Sequence, residues 1–168
     1  MRITNVLLRI DRGAKLVEDG LLAGLLFAMI ALAGTQIFLR NVVDSGIAWA
    51  DPLLRIMVLW LGLMGAVAAS RDNRHINIDL LSKFLPDKAR LAVQIIVDLF
   101  TAVVCGLVAW HAGRFISDEM AFAAPGLWGL PIWVFEIVIP VAFGLITLRY
   151  VIFVAGHVRA LLTPGADT

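Results

Sequence analysis

Four long apolar stretches, at about residues 19–39, 50–70, 90–115 and 131–155, constrain this chain more than any other feature. The first is free of charge from Leu21 to Leu39. A helix needs about 20 mostly apolar residues to cross the hydrocarbon of a bilayer. All four stretches reach that length. The chain is 61% hydrophobic with a mean hydropathy of +0.91, whereas soluble domains are about 45–50% apolar. A water-soluble core in 168 residues does not absorb that excess; a bilayer does. The runs are continuous rather than alternating, which favours helices over barrel strands. The fold class that follows is an all-α integral membrane protein, a single membrane domain over residues 1–168 with four transmembrane helices.

Orientation is read from Lys and Arg near the span ends. Arg2, Arg9, Arg12 and Lys15 precede the first span. Arg71, Arg74, Lys83, Lys88 and Arg90 lie between the second and third, and Arg149 and Arg159 fall near the end. Only Arg40, Arg55 and Arg114 fall on the opposite side, which leaves eleven of the 14 basic residues on one side. The expected topology has both termini and the middle loop in the cytoplasm, with the loops around Asn41–Trp49 and Ser117–Pro131 outside. Trp49, Trp110, Trp128 and Trp133 fall near the outer boundary, where indole prefers the headgroup zone; Trp60 is the exception, near mid-membrane. The amino terminus does not read as a cleavable signal, so the first span is expected to stay as an anchor.

The middle loop carries its own pattern. Ile76, Leu80, Leu81, Phe84 and Leu85 share one helical face, which predicts a short amphipathic helix over about 75–85 on the cytoplasmic surface, against lipid or a partner. Pro86 ends it, and Asp87 is positioned to cap the third span. The segment Ala124–Pro131, rich in Gly and Pro, predicts a turn-rich connector. Pro140 is expected to bend the fourth helix. The tail, 163–168, is expected to be disordered.

Ionisable residues within a span cost several kcal/mol, from roughly 2.5–3.5 at the centre, unless paired or wetted. Asp51 and Arg55, four apart, share a face; an intrahelical ion pair near the interface competes with docking of another subunit. Arg90, Gln94 and Asp98 form a stripe at spacing four, expected to pack against a neighbouring helix, with a cation or proton site as the alternative. His111, Arg114 and Glu136 belong to the outer halves of the last two spans. They are expected to form a static polar network, with a proton relay as the alternative. Arg71, Arg74, His75 and Asp79 cluster directly after the second span, as a solvated loop or as a clamp for a neighbouring chain or lipid headgroups.

No Walker loop, HExxH or GxSxG occurs. Cys105 is the sole cysteine, which excludes an internal disulfide or a paired-thiol relay. One histidine reads as lying within a span, too few for the four axial ligands of a diheme bundle. The expectation is a non-enzyme with no metal, no cofactor and no nucleic-acid partner.

The stretch from Phe38 to Arg90 resembles the small permease subunit of tripartite ATP-independent periplasmic (TRAP) transporters. The resemblance rests on Arg40 after the first span and on a Trp-x-acid-x-x-x-Arg start to the second, at Trp49, Asp51 and Arg55. It continues through Leu59, Trp60, Gly65 and Ala66. An Arg followed by His-Ile-x-aliphatic-Asp stands at Arg71, His75, Ile76, Ile78 and Asp79, and Leu85-Pro86 precedes the third span. Pro52 stands where the family often carries a second acid.

This resemblance implies a scaffold subunit of the bacterial inner (cytoplasmic) membrane beside an elevator-like domain in a large permease subunit. A periplasmic solute-binding protein would deliver a carboxylate-bearing organic solute, and an ion gradient, usually sodium, would drive symport. It implies partner-subunit or binding-protein contacts at Arg40, Trp49, Asp51 and Arg55, and a structural clamp at Arg71, Arg74, His75 and Asp79. The membrane phospholipids complete the expected partners. The competing reading is a stand-alone proton-coupled carrier, working as a homo-oligomer through Asp98 or Glu136.

Overall fold

The four apolar stretches fold as helices. The computed structural model describes residues 2–71, 87–122 and 124–162. Helix α1 runs Arg2–Val42, α2 Ala50–Ala69 and α3 Asp87–Phe122. A single 3-10 turn at Leu127–Gly129 leads to the short α4, Trp133–Glu136, and then to α5, Val138–Leu162. The membrane-crossing segments are Leu16–Val42, Ala50–Ala69, Ala89–Phe122 and Trp133–Arg159. The predicted amphipathic helix over 75–85 and the predicted disordered tail lie outside the described residues.

Two helices are longer than the sequence suggests. At about 1.5 Å per residue, the 41 residues of α1 reach about 60 Å and the 36 of α3 about 54 Å. Both exceed a hydrocarbon core of about 30 Å. The loop expected to open at Ser117 begins only after Phe122. The reason is local: Glu119, Met120 and Ala121 are good helix formers, and the Ser117 hydroxyl is satisfied within the helix by the Gly113 carbonyl at 3.0 Å. The first proline that opposes the helix is Pro125, which disfavours helical geometry in the residue before it. Polarity marks where α3 leaves the hydrocarbon, not where it unwinds.

α2 starts one residue after Trp49. Pro52 sits in its first turn, where a missing N–H costs no helical hydrogen bond. Hydroxyls within the spans find acceptors on their own helices. Thr35 donates to Ala31 O, Thr101 to Val97 O and Thr147 to Phe143 O, each at 2.8 Å, so none is stranded in an apolar medium.

The chain divides into two compact units. In the first, α1 packs on α2, joined by the 43–49 loop, together with the 124–132 connector and α4. Its buried residues include Ala50, Met57, Val67 and Phe135. The second holds Ser70, α3 as far as Asp118, and α5. Ala102, Ile116, Ala142, Ile146 and Tyr150 are buried there. Gly106 faces Thr147 in this unit, where a Cβ would stand in ordinary contact at 3.5 Å from Thr147 Cγ2. Only 6–17% of each span is buried within the chain, so most of its side chains are left for lipid or a partner.

The fourth span is interrupted for one residue at Ile137, between α4 and α5, three residues before Pro140. Proline has no N–H to donate four residues back, and its ring crowds the carbonyl there, which here belongs to Glu136.

A candidate polar cleft and two interhelical clasps

At the junction of α1 and α2 in the first unit, the chain builds a polar cleft around Gln36. This glutamine is 6% exposed. Its Oε1 accepts the Ile47 N–H at 3.0 Å, and its Nε2 donates to the Ile47 carbonyl at 3.2 Å. The side-chain amide thus pairs with one loop peptide as a neighbouring strand would, and satisfies both of that peptide's polar groups. Gly46 lies close beside it: a Cβ there would come within 3.3 Å of Gln36 Nε2, tight enough that the amide would have to shift. The loop closes on α1 through Val43 N–H and Ser45 N–H, which both donate to Leu39 O at 3.1 and 3.3 Å. Asp44 adopts φ 47°, a left-handed conformation that Asp tolerates better than most residues.

The result is a cleft of about 380 Å³ lined by Gln36, Arg40, Asp44, Ser45 and Asp51, among others. The Asp51 carboxylate makes a long contact, 3.5 Å, with Gln36 Nε2. The intrahelical ion pair expected between Asp51 and Arg55 is not formed among the described residues, because Asp51 turns toward α1. Arg40, Trp49 and Asp51, singled out in the sequence, therefore gather at one end of one unit, and Arg55 is exposed one turn further along α2. Trp49 stands against Trp128 of the connector, ring centroids 5.8 Å apart and tilted by 57°. The connector is pinned by Gly126 N–H to Leu130 O (2.9 Å) and Ile132 N–H to Ala124 O (3.1 Å). Gly126 has no substitute there, since a Cβ would fall 2.6 Å from Leu130 O.

The same unit contains the first clasp. Trp60 Nε1 donates to the Phe135 carbonyl at 2.8 Å, two residues before the break at Ile137. The mid-membrane tryptophan thus supplies a donor to backbone beside the interruption. Glu136, next in sequence, has its Oε2 buried with no hydrogen-bond partner among the described residues.

The second clasp lies in the other unit. Asp98 on α3 is 1% exposed and its Oδ2 lies 2.9 Å from His157 Nδ1 on α5. Arg149 Nη1 donates to Ser70 Oγ at 3.1 Å. Tyr150, also buried, meets Phe153 edge-on at 5.8 Å. The packing partner predicted for Asp98 is therefore a histidine of the last span, and His157 joins His111 as a second histidine within a span.

Gln36, Ser70, Arg149 and His157 were not legible as site residues. Their partners lie 11 to 79 residues away, and none belongs to a local motif. His111 and Arg114 are exposed on α3 in the second unit, and Glu136 falls in the first. Arg71 is half-buried. Arg74, His75, Asp79 and the amphipathic face Ile76, Leu80, Leu81, Phe84 and Leu85 lie outside the described residues. No group of three or more metal-ligating side chains occurs among the described residues.

Four spans, with polar groups that tie helices together, define a polytopic α-helical membrane protein. Residues 29–160 match the model of the family described as tripartite ATP-independent periplasmic transporters, DctQ component, and the chain belongs to that family. It is thereby a TRAP transporter component of the bacterial inner membrane. It is 27% identical over 136 residues to the sialic acid TRAP transporter permease protein SiaT of Haemophilus influenzae, covering 80% of this chain and 22% of SiaT. It is 28% identical over 122 residues to the isethionate TRAP transporter permease protein DctMQ of Oleidesulfovibrio alaskensis, covering 71% and 19%. The sialic acid TRAP transporter small permease protein SiaQ of Vibrio cholerae is 27% identical over 92 residues, covering 55% and 53%. The chain thus spans about a fifth of the two longer permeases and about half of the small one.

Proposed function

We propose that the chain is a non-catalytic scaffold subunit that holds a large permease subunit in the membrane. That subunit takes a carboxylate-bearing organic solute from a periplasmic binding protein, and an ion gradient, usually sodium, drives the import. The observation that carries this reading is the match to a fifth of two much longer TRAP permeases, which leaves the greater part of those chains to a larger partner. The low burial of all four spans supports it, because the exposed apolar faces offer a partner a wide surface. So does the Asp98–His157 contact, which engages the deepest acid in holding two helices together.

In this reading Arg40, Trp49, Asp51 and Arg55 form the outward end that meets partners. Arg71, Arg74, His75 and Asp79 form the cytoplasmic clamp, and the 76–85 segment rests on the phospholipid surface. The test is reconstitution in liposomes of the chain alone, of the large subunit alone and of both, with the binding protein and an imposed sodium gradient. Uptake is expected only from the pair. Ion-coupled uptake by the chain alone would identify a self-sufficient carrier and sink the scaffold reading. Arg74→Ala and His75→Ala are expected to lower the yield of the co-purified pair.

A further inference from the structure

The cleft between α1 and α2 holds opposite charges that do not neutralise one another. Arg40 and Asp44 are four residues apart at the end of a helix, a spacing at which such residues commonly pair. Among the described residues neither forms an ion pair, and Asp51 reaches only the Gln36 amide, at 3.5 Å. The cation and the two acids instead line the same space of about 380 Å³. Its floor is preformed, because both ends of the Gln36 amide are engaged by Ile47.

The helix ends and the neighbouring tryptophans point to a headgroup depth for the cleft. Its loop, residues 43–49, lies directly beyond the spans ending at Val42 and beginning at Ala50. The Trp49–Trp128 pair flanks it, and tryptophan settles at the headgroup level. A cleft at that level faces phospholipid headgroups at very high local concentration. A site with one guanidinium and two carboxylates rejects a purely anionic headgroup and suits a dipolar one. Arginine matches a phosphate in bidentate geometry, and a primary ammonium donates hydrogen bonds to carboxylates.

We propose that the Gln36 cleft is a binding site for the headgroup of phosphatidylethanolamine, its phosphate on Arg40 and its ammonium on Asp44 and Asp51. The proposal rests on the reading that this loop forms an interfacial, partner-facing end. It narrows the partner of Arg40 and Asp51 to a lipid and leaves Trp49 and Arg55 for protein contact. Choline carries no N–H and forms weaker contacts with the acids; phosphatidylglycerol carries no cation at all.

The test uses the full chain in nanodiscs of equal phosphatidylethanolamine, phosphatidylcholine and phosphatidylglycerol, followed by extraction and native mass spectrometry of the lipids that stay bound. The wild type is expected to retain one phosphatidylethanolamine, enriched about tenfold over phosphatidylglycerol, the scale of one charge-assisted hydrogen bond. Arg40→Gln and Asp44→Asn are each expected to abolish the enrichment, while Arg40→Lys, which keeps the charge but not the bidentate fork, keeps only part of it. Asn tolerates the left-handed backbone at position 44, so that variant removes charge without refolding the loop; circular dichroism and monodisperse elution check this. Equal retention of the three lipids, preference for phosphatidylglycerol, or enrichment unchanged in Arg40→Gln and Asp44→Asn would each overturn the site. In a parallel run with a lysine-rich peptide added, preferential capture of the peptide with no lipid preference would overturn it in favour of a protein ligand. The large subunit is absent from this assay, so failure here leaves the scaffold reading intact, and failure of the uptake test leaves the lipid site intact.

Discussion

At the scale of single residues, the burial of Asp98 calls for a partner. A carboxylate 1% exposed within a span is expensive unless hydrogen-bonded or paired, and His157 Nδ1 at 2.9 Å supplies the contact. The magnitude is bounded by what interhelical polar contacts contribute in membranes, about 0.6 kcal/mol on average and at most about 1.7. His157→Ala is therefore expected to destabilise the chain by about 1–2 kcal/mol, and Asp98→Asn, which keeps an acceptor for the imidazole, by less. In a double-mutant cycle read by reversible unfolding in detergent, Asp98→Ala and His157→Ala should be non-additive by about 1 kcal/mol. Additive losses would mean that the contact contributes nothing beyond its parts. Asp98 was legible because an acid inside an apolar run stands out against its neighbours. His157 was not, because it sits two residues from Arg159 at the end of the last span, where polar residues ordinarily mark an interface. Gln36 was hidden for a related reason: its role is to mimic a peptide, and no charge or motif betrays that.

Among the helices, the four spans were readable because continuous hydrophobicity is a property of the stretch itself. Ends and interruptions depend on less visible causes. α3 outruns its apolar segment to Phe122 because a helix leaving the hydrocarbon needs no apolar residues to stay helical. The fourth span could be expected to bend from Pro140, but the donor at the break could not be named in advance. Trp60 looked misplaced against the belt of interfacial tryptophans, yet it gives its N–H to Phe135 O at 2.8 Å. Trp60→Phe keeps the ring and removes that donor, at an expected cost of about 1 kcal/mol. Pro140→Ala restores an N–H able to reach the Glu136 carbonyl, which favours joining α4 to α5 and returning the Phe135 carbonyl to the Ile139 N–H. The cost of Trp60→Phe should therefore shrink in the Pro140→Ala background. An equal cost in both backgrounds would separate the tryptophan contact from the helix break.

For the molecule as a whole, the orientation expected from the sequence places the Gln36 cleft outside and the basic segments in the cytoplasm, and labelling tests it. Eleven of the 14 basic residues lie on the side assigned to the amino terminus, the middle loop and the carboxyl terminus, and the positive-inside bias acts over loops of about this length. The sole native thiol, Cys105, is half-buried in α3. Replacing it by Ala gives a background for single reporter cysteines at Asn5, Ser45, Leu130 and Leu161. In intact spheroplasts a membrane-impermeant maleimide is expected to label Ser45→Cys and Leu130→Cys. Asn5→Cys and Leu161→Cys should react only after the membrane is opened. The even number of spans makes this a strict test, because the amino and carboxyl reporters must share one side. Inversion of the whole pattern would place the Gln36 cleft on the inner surface and remove it from any role in meeting a periplasmic protein. Opposite behaviour at Asn5 and Leu161 would mean that one of the four helices does not cross. The lipid proposal survives inversion, since phosphatidylethanolamine can be offered to either leaflet; the assignment of Trp49 and Arg55 to the outward face does not.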